Sequence, residues 1–158
     1  MSDAAPRTAV GFLLFDSDNK IALSHIGVWN VTMLPGGGVN EGESLHDAVK
    51  REAWEETGCR CEVTGEIGLV CENRAEHDFV QKKYHYFARV VGEKGELHFE
   101  DYEIESETTV RWHPIERAVE MLTEFKAENV QQKFCKRRDL AVLNEAIMLL
   151  RDGGAFNN

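Results

Sequence analysis

A run of glycines followed by an acid-rich segment is the feature that most constrains this chain. The stretch from Gly36 to Gly58 reads GGGVNEGESLHDAVKREAWEETG. Ser44 or Glu43 can serve its first turn, and Gly58 is a typical C-terminal stop. The apolar residues of the stretch repeat at helical spacing: Leu45, Ala48, Val49 and Ala53. The pattern therefore predicts a helix from about Glu43 to Thr57.

Three glutamates lie on or beside the apolar face of this predicted helix. At about 100° per residue, Glu52 and Glu56 fall within the apolar arc and Glu55 lies at its edge. Carboxylates near an interior raise one another's pKa and lose hydration, so they need compensation, most simply a divalent cation. Oxygen ligands favour Mg²⁺, or Mn²⁺, with substrate phosphates completing the site. The alternative is a solvated face with an ordinary Arg51–Glu55 pair.

The spacing of Gly37, Glu43 and the segment REAWEETGC, residues 51–59, resembles the Nudix box of the MutT-like Nudix hydrolases. Every charged and glycine position of that pattern is filled, whereas Ala53 and Cys59 stand at its two aliphatic positions. The resemblance implies an α/β fold, namely an α/β/α sandwich with a mixed β-sheet. It also implies metal-dependent cleavage of a phosphoanhydride bond in a nucleoside diphosphate linked to another group.

The resemblance further implies ligands for the metal ion. Glu52 and Glu56 would bind it directly, Glu55 would also lie at the metal, and the Gly36 carbonyl would be a further ligand. Arg51 would orient these acids through a salt bridge. Glu43 would be an ancillary group behind them.

A general base is also expected from the resemblance. It would be one of the box glutamates or an acid just before the strand predicted at 108–112. The expected later acid is Glu107 or Glu105. The candidate catalytic residues are therefore Glu55, Glu52, Arg51, Glu107 and Glu105.

Substrate contacts are expected from the charged loop Glu72–Asp78, which reads ENRAEHD. In the family that the chain resembles, this loop often helps to choose the substrate. Asn73, Arg74 and His77 are the candidate substrate-binding residues. A solvated hairpin loop is the alternative for each of them.

The rest of the chain predicts strands and then helices. Alternating or apolar runs predict strands at Thr8–Phe15, Lys20–His25, Cys59–Cys71, Lys83–Val91 and Thr108–Trp112. Helical spacing predicts helices at Pro114–Leu122 and Val130–Arg151. At 158 residues the chain is expected to form one domain, 1–158, with residues 1–7 as a loose end.

A basic cluster marks the start of the last predicted helix. A solvated face is expected for it, and a phosphate contact is the alternative. The cluster consists of Lys133, Lys136, Arg137 and Arg138.

Charge and cysteine usage limit the partners and the compartment. A formal net charge of -10 argues against nucleic acid and favours a small-molecule nucleotide substrate, because a bound metal can attract phosphate locally. Four cysteines without a CxxC pair, no signal peptide and no long apolar run predict a cytoplasmic protein without a membrane segment. Because many members of the family that the chain resembles form dimers, a homodimer is an open expectation.

The substrate follows from the resemblance only by elimination. Ala75 stands where many ADP-ribose hydrolases carry proline, and the tyrosine of many dinucleoside polyphosphate hydrolases is missing there. This favours nucleoside triphosphate pyrophosphohydrolysis, with ADP-ribose, nucleotide-sugar or dinucleoside polyphosphate hydrolysis as alternatives. Another alternative is a non-catalytic Nudix module that senses a ligand, although such modules typically lose box glutamates. RNA-end hydrolysis is disfavoured by the acidic balance.

Overall fold

The computed structural model describes residues 6–74, 79–97, 104 and 107–153, which are built around a seven-stranded sheet. The strands are β1 (Arg7–Phe15), β2 (Lys20–Ile26), β3 (Val31–Met33), β4 (Gly36–Gly38), β5 (Arg60–Arg74), β6 (Phe79–Val91) and β7 (Thr108–Pro114). The helices are α1 (Leu45–Thr57), α2 (Ile115–Glu124) and α3 (Val130–Asp152). Helix α1 packs on one face of the sheet and α2 and α3 on the other, which confirms the expected sandwich.

Strand β1 is the centre of the sheet. It pairs in parallel with β6 over its whole length, and antiparallel with β4 on its other edge, where Gly11 lies opposite Gly36. Strand β2 meets β1 at Phe15 and Ile21 and then continues the sheet through β3 and β7. This combination confirms a mixed sheet. It also places residues of β1, β2 and β4 around one space.

Two apolar cores lie on the two faces of β1. Leu13 and Phe15 pack with residues of α2 and α3. Val10, Phe12 and Leu14 pack with α1 and the neighbouring strands. Because side chains alternate along a strand, a continuous apolar run such as this one suits a strand that is buried on both faces.

Helix α1 ends at Thr57 as predicted and begins at Leu45, two residues after the predicted start at Glu43. The Ser44 side chain is the N-cap and accepts a hydrogen bond of 3.1 Å from the backbone N–H of Asp47. Gly58 ends the helix in the left-handed conformation, with φ of 71°. This helix is the rigid element that carries the acidic residues.

The strands on either side of the predicted loop at 72–78 are longer than expected. Strand β5 continues to Arg74, and β6 begins at Phe79 instead of Lys83. Glu72 lies opposite Gln81 in the ladder and is buried, as is Gln81. Charged residues suggested a loop here, but a cation from α3, described below, allows Glu72 to lie inside the fold.

The three glycines before the helix form a strand. Gly36–Gly38 pair with β1, whereas the glycines with positive φ in the described chain are Gly42, Gly58 and Gly92. A Cβ atom on Gly36 would lie 2.2 Å from the carbonyl oxygen of Val10. Close approach of two backbones therefore explains this glycine, and a tight turn does not.

The described helices include none that is both long and apolar enough to cross a bilayer. All four cysteines are free thiols, and Cys59 and Cys61 lie in the core beside α1.

Candidate active site

The glycine strand β4 and helix α1 bring backbone and carboxylates together. The backbone N–H of Gly36 donates a hydrogen bond of 3.0 Å to Oε2 of Glu56. A Cβ atom on Gly37 would lie 2.3 Å from Oε1 of Glu52, so this carboxylate lies directly over the glycine backbone. The two buried acids of the predicted apolar arc therefore face the strand that the sequence places before the helix.

Arg51 is the hub that holds the acidic residues in place. Its Nε and Nη2 atoms donate to the two carboxylate oxygens of Glu43 at 2.8 and 2.9 Å. Its Nη1 donates to Oε1 of Glu52 at 2.8 Å and, at 3.3 Å, to Glu55. Its Nη2 also donates to the carbonyl oxygen of Gly38 at 2.8 Å. A planar guanidinium with five N–H donors can make these contacts together, whereas an ammonium group cannot.

The contacts between Arg51 and Glu43 shift the pKa values of both groups. The hydrogen bond to Glu43 is the main cause that raises the pKa of Arg51 above its usual value. The same hydrogen bond from Arg51 holds the pKa of Glu43 below its usual value. Both groups therefore remain charged across the neutral range, and the hub stays intact.

The three box glutamates differ in their exposure. Glu52 and Glu56 are 6% and 8% exposed. The side chain of Glu55 is 22% exposed. The helical wheel predicted this order, with Glu55 at the edge of the arc.

The donor set at this site fits a hard divalent cation. The side-chain atoms that contact Gly36 and Gly37 from α1 are carboxylate oxygens of Glu56 and Glu52. The described residues contain no group of three His, Cys, Asp or Glu side chains that already converge as metal ligands. Mg²⁺ commonly uses only one or two protein carboxylates, with substrate phosphates and water as its other ligands. The two buried acids agree with that requirement.

A cavity of about 420 Å³ begins at this site and extends along the sheet. Gly36, Gly37 and Glu56 line its near end, and Trp29 and Phe79 are among its apolar walls. Its remaining lining comes mainly from β1, β2, β5, β6 and the first half of α3, and includes Arg7, Ala9, Ser24, Gln81, Lys83 and Arg138. A concave, mostly apolar space with a few polar groups is typical of a small-molecule site.

A buried ion cluster forms the wall of this cavity on the side of α3. Arg138 is 8% exposed and donates to Glu72 at 3.0 Å and to Asp139 at 2.8 Å. Asp139 is fully buried and also accepts a hydrogen bond from the backbone N–H of Leu34. The expectation of a solvated basic face is therefore wrong for Arg138. Two carboxylates compensate its charge inside the fold.

Lys83 and His85 are two buried polar residues of β6, and Lys83 lines the cavity. Lys83 is 5% exposed, and burial lowers its pKa to about 8. Burial likewise lowers the pKa of His85 to about 3, so this histidine is neutral near pH 7.

These inward-facing polar residues were not singled out from the sequence. Gln81, Lys83 and His85 alternate along β6, which was a detectable signal of a polar stripe on one strand face. Asp139 was not singled out either, although it follows Cys135 at helical spacing on the inward side of α3. Arg138 was singled out as a member of the basic cluster, without its inward orientation.

The predicted substrate-binding and late catalytic residues are only partly brought to the site. Arg74 lines the cavity, while Asn73 is exposed at the end of β5. His77 and Glu105 lie outside the described residues. Glu107 is exposed, with φ of 58°, and its carbonyl oxygen accepts a hydrogen bond from Gly27. None of the contacts among the described residues joins Glu107 to Glu52 or Glu56.

Comparisons with known proteins agree with this geometry. Residues 5–134 match the family model of the NUDIX domain. A protein of Novosphingobium aromaticivorans named RNA pyrophosphohydrolase is 26% identical over 156 residues, covering 85% of this chain and 93% of its own length. The solved structure of a MutT protein from Methanosarcina mazei Go1 has a TM-score of 0.59 at 20% identity, covering 85% of this chain and 94% of that one.

A second solved structure, a NUDIX hydrolase from Nitrosomonas europaea, has a TM-score of 0.62 at 19% identity and covers 85% of this chain and 89% of that one. At these identities the two structures support the fold. The match of the family model spans most of the chain and includes the glycine strand and helix α1. The chain therefore belongs to the Nudix family and is a phosphoanhydride hydrolase of that family.

Proposed function

We propose that this chain hydrolyses nucleoside triphosphates, with Mg²⁺ held by Glu52 and Glu56 and the nucleoside bound in the 420 Å³ cavity. The observation that carries the proposal is the continuity of that cavity with Gly36, Gly37 and Glu56. One ligand can therefore place its phosphates at the box acids and its base and sugar in the mostly apolar space beyond. The size of the cavity suits a small nucleotide.

The metal ion would neutralise phosphate charge and lower the pKa of water, which together provide the chemistry that a phosphoanhydride requires. Glu52 and Glu56 would be its carboxylate ligands, and the Gly36 carbonyl would be a further ligand by family resemblance. Mn²⁺ is expected to substitute because it accepts the same oxygen ligands.

The other residues of the box act through position and proton transfer. Arg51 keeps the Glu52 carboxylate oriented over Gly37 through its hydrogen bond of 2.8 Å. Glu55 is partly exposed, and its ion pair among the described residues is the long contact of 3.3 Å to Arg51, so its carboxylate is accessible to water. We assign to Glu55 the removal of a proton from the attacking water. Glu43 supports Arg51 from behind.

A triphosphorylated RNA end is the second candidate substrate. It is favoured by the relative of Novosphingobium aromaticivorans that is named RNA pyrophosphohydrolase. The net charge of -10 argues against an extended RNA contact. An RNA substrate would also give an affinity that falls steeply with salt, because neutralised phosphates release counterions.

The test is phosphate and pyrophosphate release from a panel of substrates with Mg²⁺ and with chelator. The panel contains nucleoside triphosphates, ADP-ribose, nucleotide sugars, dinucleoside polyphosphates and a 5′-triphosphorylated RNA. We expect Mg²⁺-dependent turnover of free nucleoside triphosphates. Turnover confined to the RNA, with strong salt dependence, would replace the proposal by the second candidate. Binding without turnover of any member would favour the ligand-sensing module.

Two variants separate the assigned roles. Glu52→Gln should abolish turnover and weaken Mn²⁺ binding, measured by electron paramagnetic resonance, because a neutral amide is a poor ligand for a hard cation. Glu55→Gln should lower kcat by about 100-fold, the usual scale of general-base catalysis, while keeping most Mn²⁺ affinity. Glu62→Gln is the matched control, because Glu62 is an exposed residue of β5, and its activity and Mn²⁺ affinity should equal those of the wild type. Full activity of Glu52→Gln would remove that residue from the site.

A further inference from the structure

The cavity contains buried polar atoms that lack a protein partner. Among the described residues, three of these atoms belong to side chains that line it: Ser24 Oγ, Arg74 Nε and Arg138 Nη2. Ser24 and Arg138 are 5% and 8% exposed. A buried donor without a partner is unfavourable, so a bound ligand that accepts these hydrogen bonds would be stabilised here.

Lys83 adds a further hydrogen-bond donor to the cavity lining. We call the part of the lining formed by Ser24, Arg74, Lys83 and Arg138 the floor of the cavity. Lys83 is 5% exposed, and the ion pairs found among the described residues do not include it. Its nearest charged neighbours, Glu56 and the cluster of Glu72, Arg138 and Asp139, influence it at longer range. An ammonium group can only donate hydrogen bonds.

The acceptors of the cavity wall are already used. Oε1 of Glu72 accepts from Arg138 at 3.0 Å and from Gln81 at 3.5 Å. Its Oε2 accepts from Arg74 at 3.4 Å. The Oε1 atom of Gln81 accepts from Arg7 at 2.9 Å. The floor therefore offers hydrogen-bond donors to a ligand, and its main acceptors are occupied by protein groups.

The charge of the floor selects a neutral acceptor over a phosphate. The cations Arg74, Lys83 and Arg138 are balanced by carboxylates in the same region, namely Glu56, Glu72 and Asp139. Arg7, which donates to Gln81, is the remaining cation of the lining and leaves one positive charge in excess, too little to offset a dianionic phosphate. We therefore place the phosphates at the metal end of the cavity. A carbonyl oxygen accepts the same hydrogen bonds without bringing charge.

The walls suit a flat ring. Trp29 and Phe79 line the cavity, and Phe79 also lies beside the Arg74 guanidinium, 5.5 Å from its ring centroid. Aromatic faces of this kind stack on nucleobases. The base of a nucleotide therefore has both an apolar contact for its faces and donors for its edge.

We infer that this cavity selects nucleobases with a carbonyl at the pairing edge, such as uracil and hypoxanthine, over cytosine and adenine, with Lys83 and Arg138 as specificity-determining residues. Cytosine and adenine differ from these bases at two adjacent positions of that edge: an amino group replaces the carbonyl, and an unprotonated ring nitrogen replaces the ring N–H. The inference concerns the exocyclic position, where the carbonyl would accept from Lys83 and Arg138. An amino group at that position would place a donor against the donors of the floor. The inference rests on the proposed function, because it takes the nucleoside of the substrate to lie in the cavity.

Two matched ligand pairs test the inference in two ways. Binding of UMP and CMP, and of IMP and AMP, is measured by calorimetry with chelator present, so it does not depend on turnover. Turnover of UTP, CTP, ITP and ATP is measured with Mg²⁺. We expect the carbonyl member of each pair to bind, and to react in kcat/KM, at least about tenfold better, since one mismatched buried hydrogen bond is worth about a factor of ten.

Two variants test whether Lys83 causes the preference for bases with a carbonyl. Lys83→Met should reduce each preference severalfold, whereas Lys82→Met, on the adjacent and exposed position of β6, should keep it. Thermal unfolding of both variants establishes that they are folded. Equal binding of the paired monophosphates, or a preference for the amino bases, would overturn the inference. Absence of turnover with selective binding of UMP and IMP would overturn the proposed function and leave the base selection intact.

Discussion

Glu72 of β5 and Arg138 of α3 form a salt bridge of 3.0 Å between side chains that are 5% and 7% exposed, although 66 positions separate them in the chain. Asp139 provides the second carboxylate for the same guanidinium at 2.8 Å. The cluster joins the sheet to α3 beside the cavity. Because buried charges are stable only when compensated, each member of the cluster depends on the others.

Removal of Arg138 should therefore destabilise the protein strongly. Arg138→Met leaves Asp139 buried without the cation that it contacts at 2.8 Å and leaves Glu72 with its longer contact of 3.4 Å to Arg74. We expect the free energy of unfolding to fall by about 3–5 kcal/mol. Urea unfolding measures the change. Arg137→Met is the control, because this neighbour is exposed and its replacement should change stability by less than about 0.5 kcal/mol. Equal stability of the two variants would show that the cluster does not support the fold.

Replacement of Arg51 by lysine should impair activity more than folding. Lysine keeps the charge but cannot contact Glu43, Glu52 and the Gly38 carbonyl together. We expect kcat to fall about 10- to 100-fold, the scale seen when groups behind metal ligands are lost, with a stability loss of about 1–2 kcal/mol. Steady-state kinetics and urea unfolding measure the two effects. Wild-type activity in the Arg51→Lys variant would contradict the orienting role.

A methyl group on Gly37 should displace the Glu52 carboxylate. In Gly37→Ala the new Cβ atom would lie 2.3 Å from Oε1 of Glu52, so this side chain must leave its position under Arg51. We expect loss of activity comparable to that of Glu52→Gln. Gly68→Ala is the control, because nothing lies within 4 Å of its added Cβ atom. Activity assays and Mn²⁺ binding decide the outcome, and unchanged Mn²⁺ affinity in Gly37→Ala would refute the displacement.

Lys83 should lower stability at neutral pH. Burial, and then the Arg138 guanidinium, lower its pKa from 10.5 to about 8. Between these two pH values the unfolded chain binds the proton and the folded chain does not, so this residue's contribution to stability rises with pH. Below about pH 8 the buried ammonium costs up to about 3 kcal/mol.

Lys83→Met removes this cost and should raise the free energy of unfolding at pH 7 by about 1–3 kcal/mol. The gain should shrink towards pH 10. Urea unfolding with chelator at both pH values measures it, with Lys82→Met as a control that should show neither change. A destabilised Lys83→Met protein, or a gain independent of pH, would contradict the assignment.

Much of the fold follows from local patterns. Helical spacing from Leu45 to Ala53, with Ser44 and Gly58 at the ends, predicted α1 almost to the residue, because caps and periodicity are local. The apolar runs predicted most strands and both later helices. The boundaries failed at Glu72 and Phe79, where charge suggested a loop, because the compensating Arg138 is distant in the chain.

The sequence by itself determined the acidic face of α1 and the family of the chain, since both depend on residues within about two dozen positions of one another. Only the tertiary structure decided that Gly36–Gly38 form a strand against β1 and that Lys83, Ser24 and Arg138 line one cavity. Those residues lie on separate elements, and periodicity along the chain carries no information about which distant side chains converge. Packing of α3 on the sheet brings them together, and this packing forms the cavity beside the glycine strand and the acidic helix.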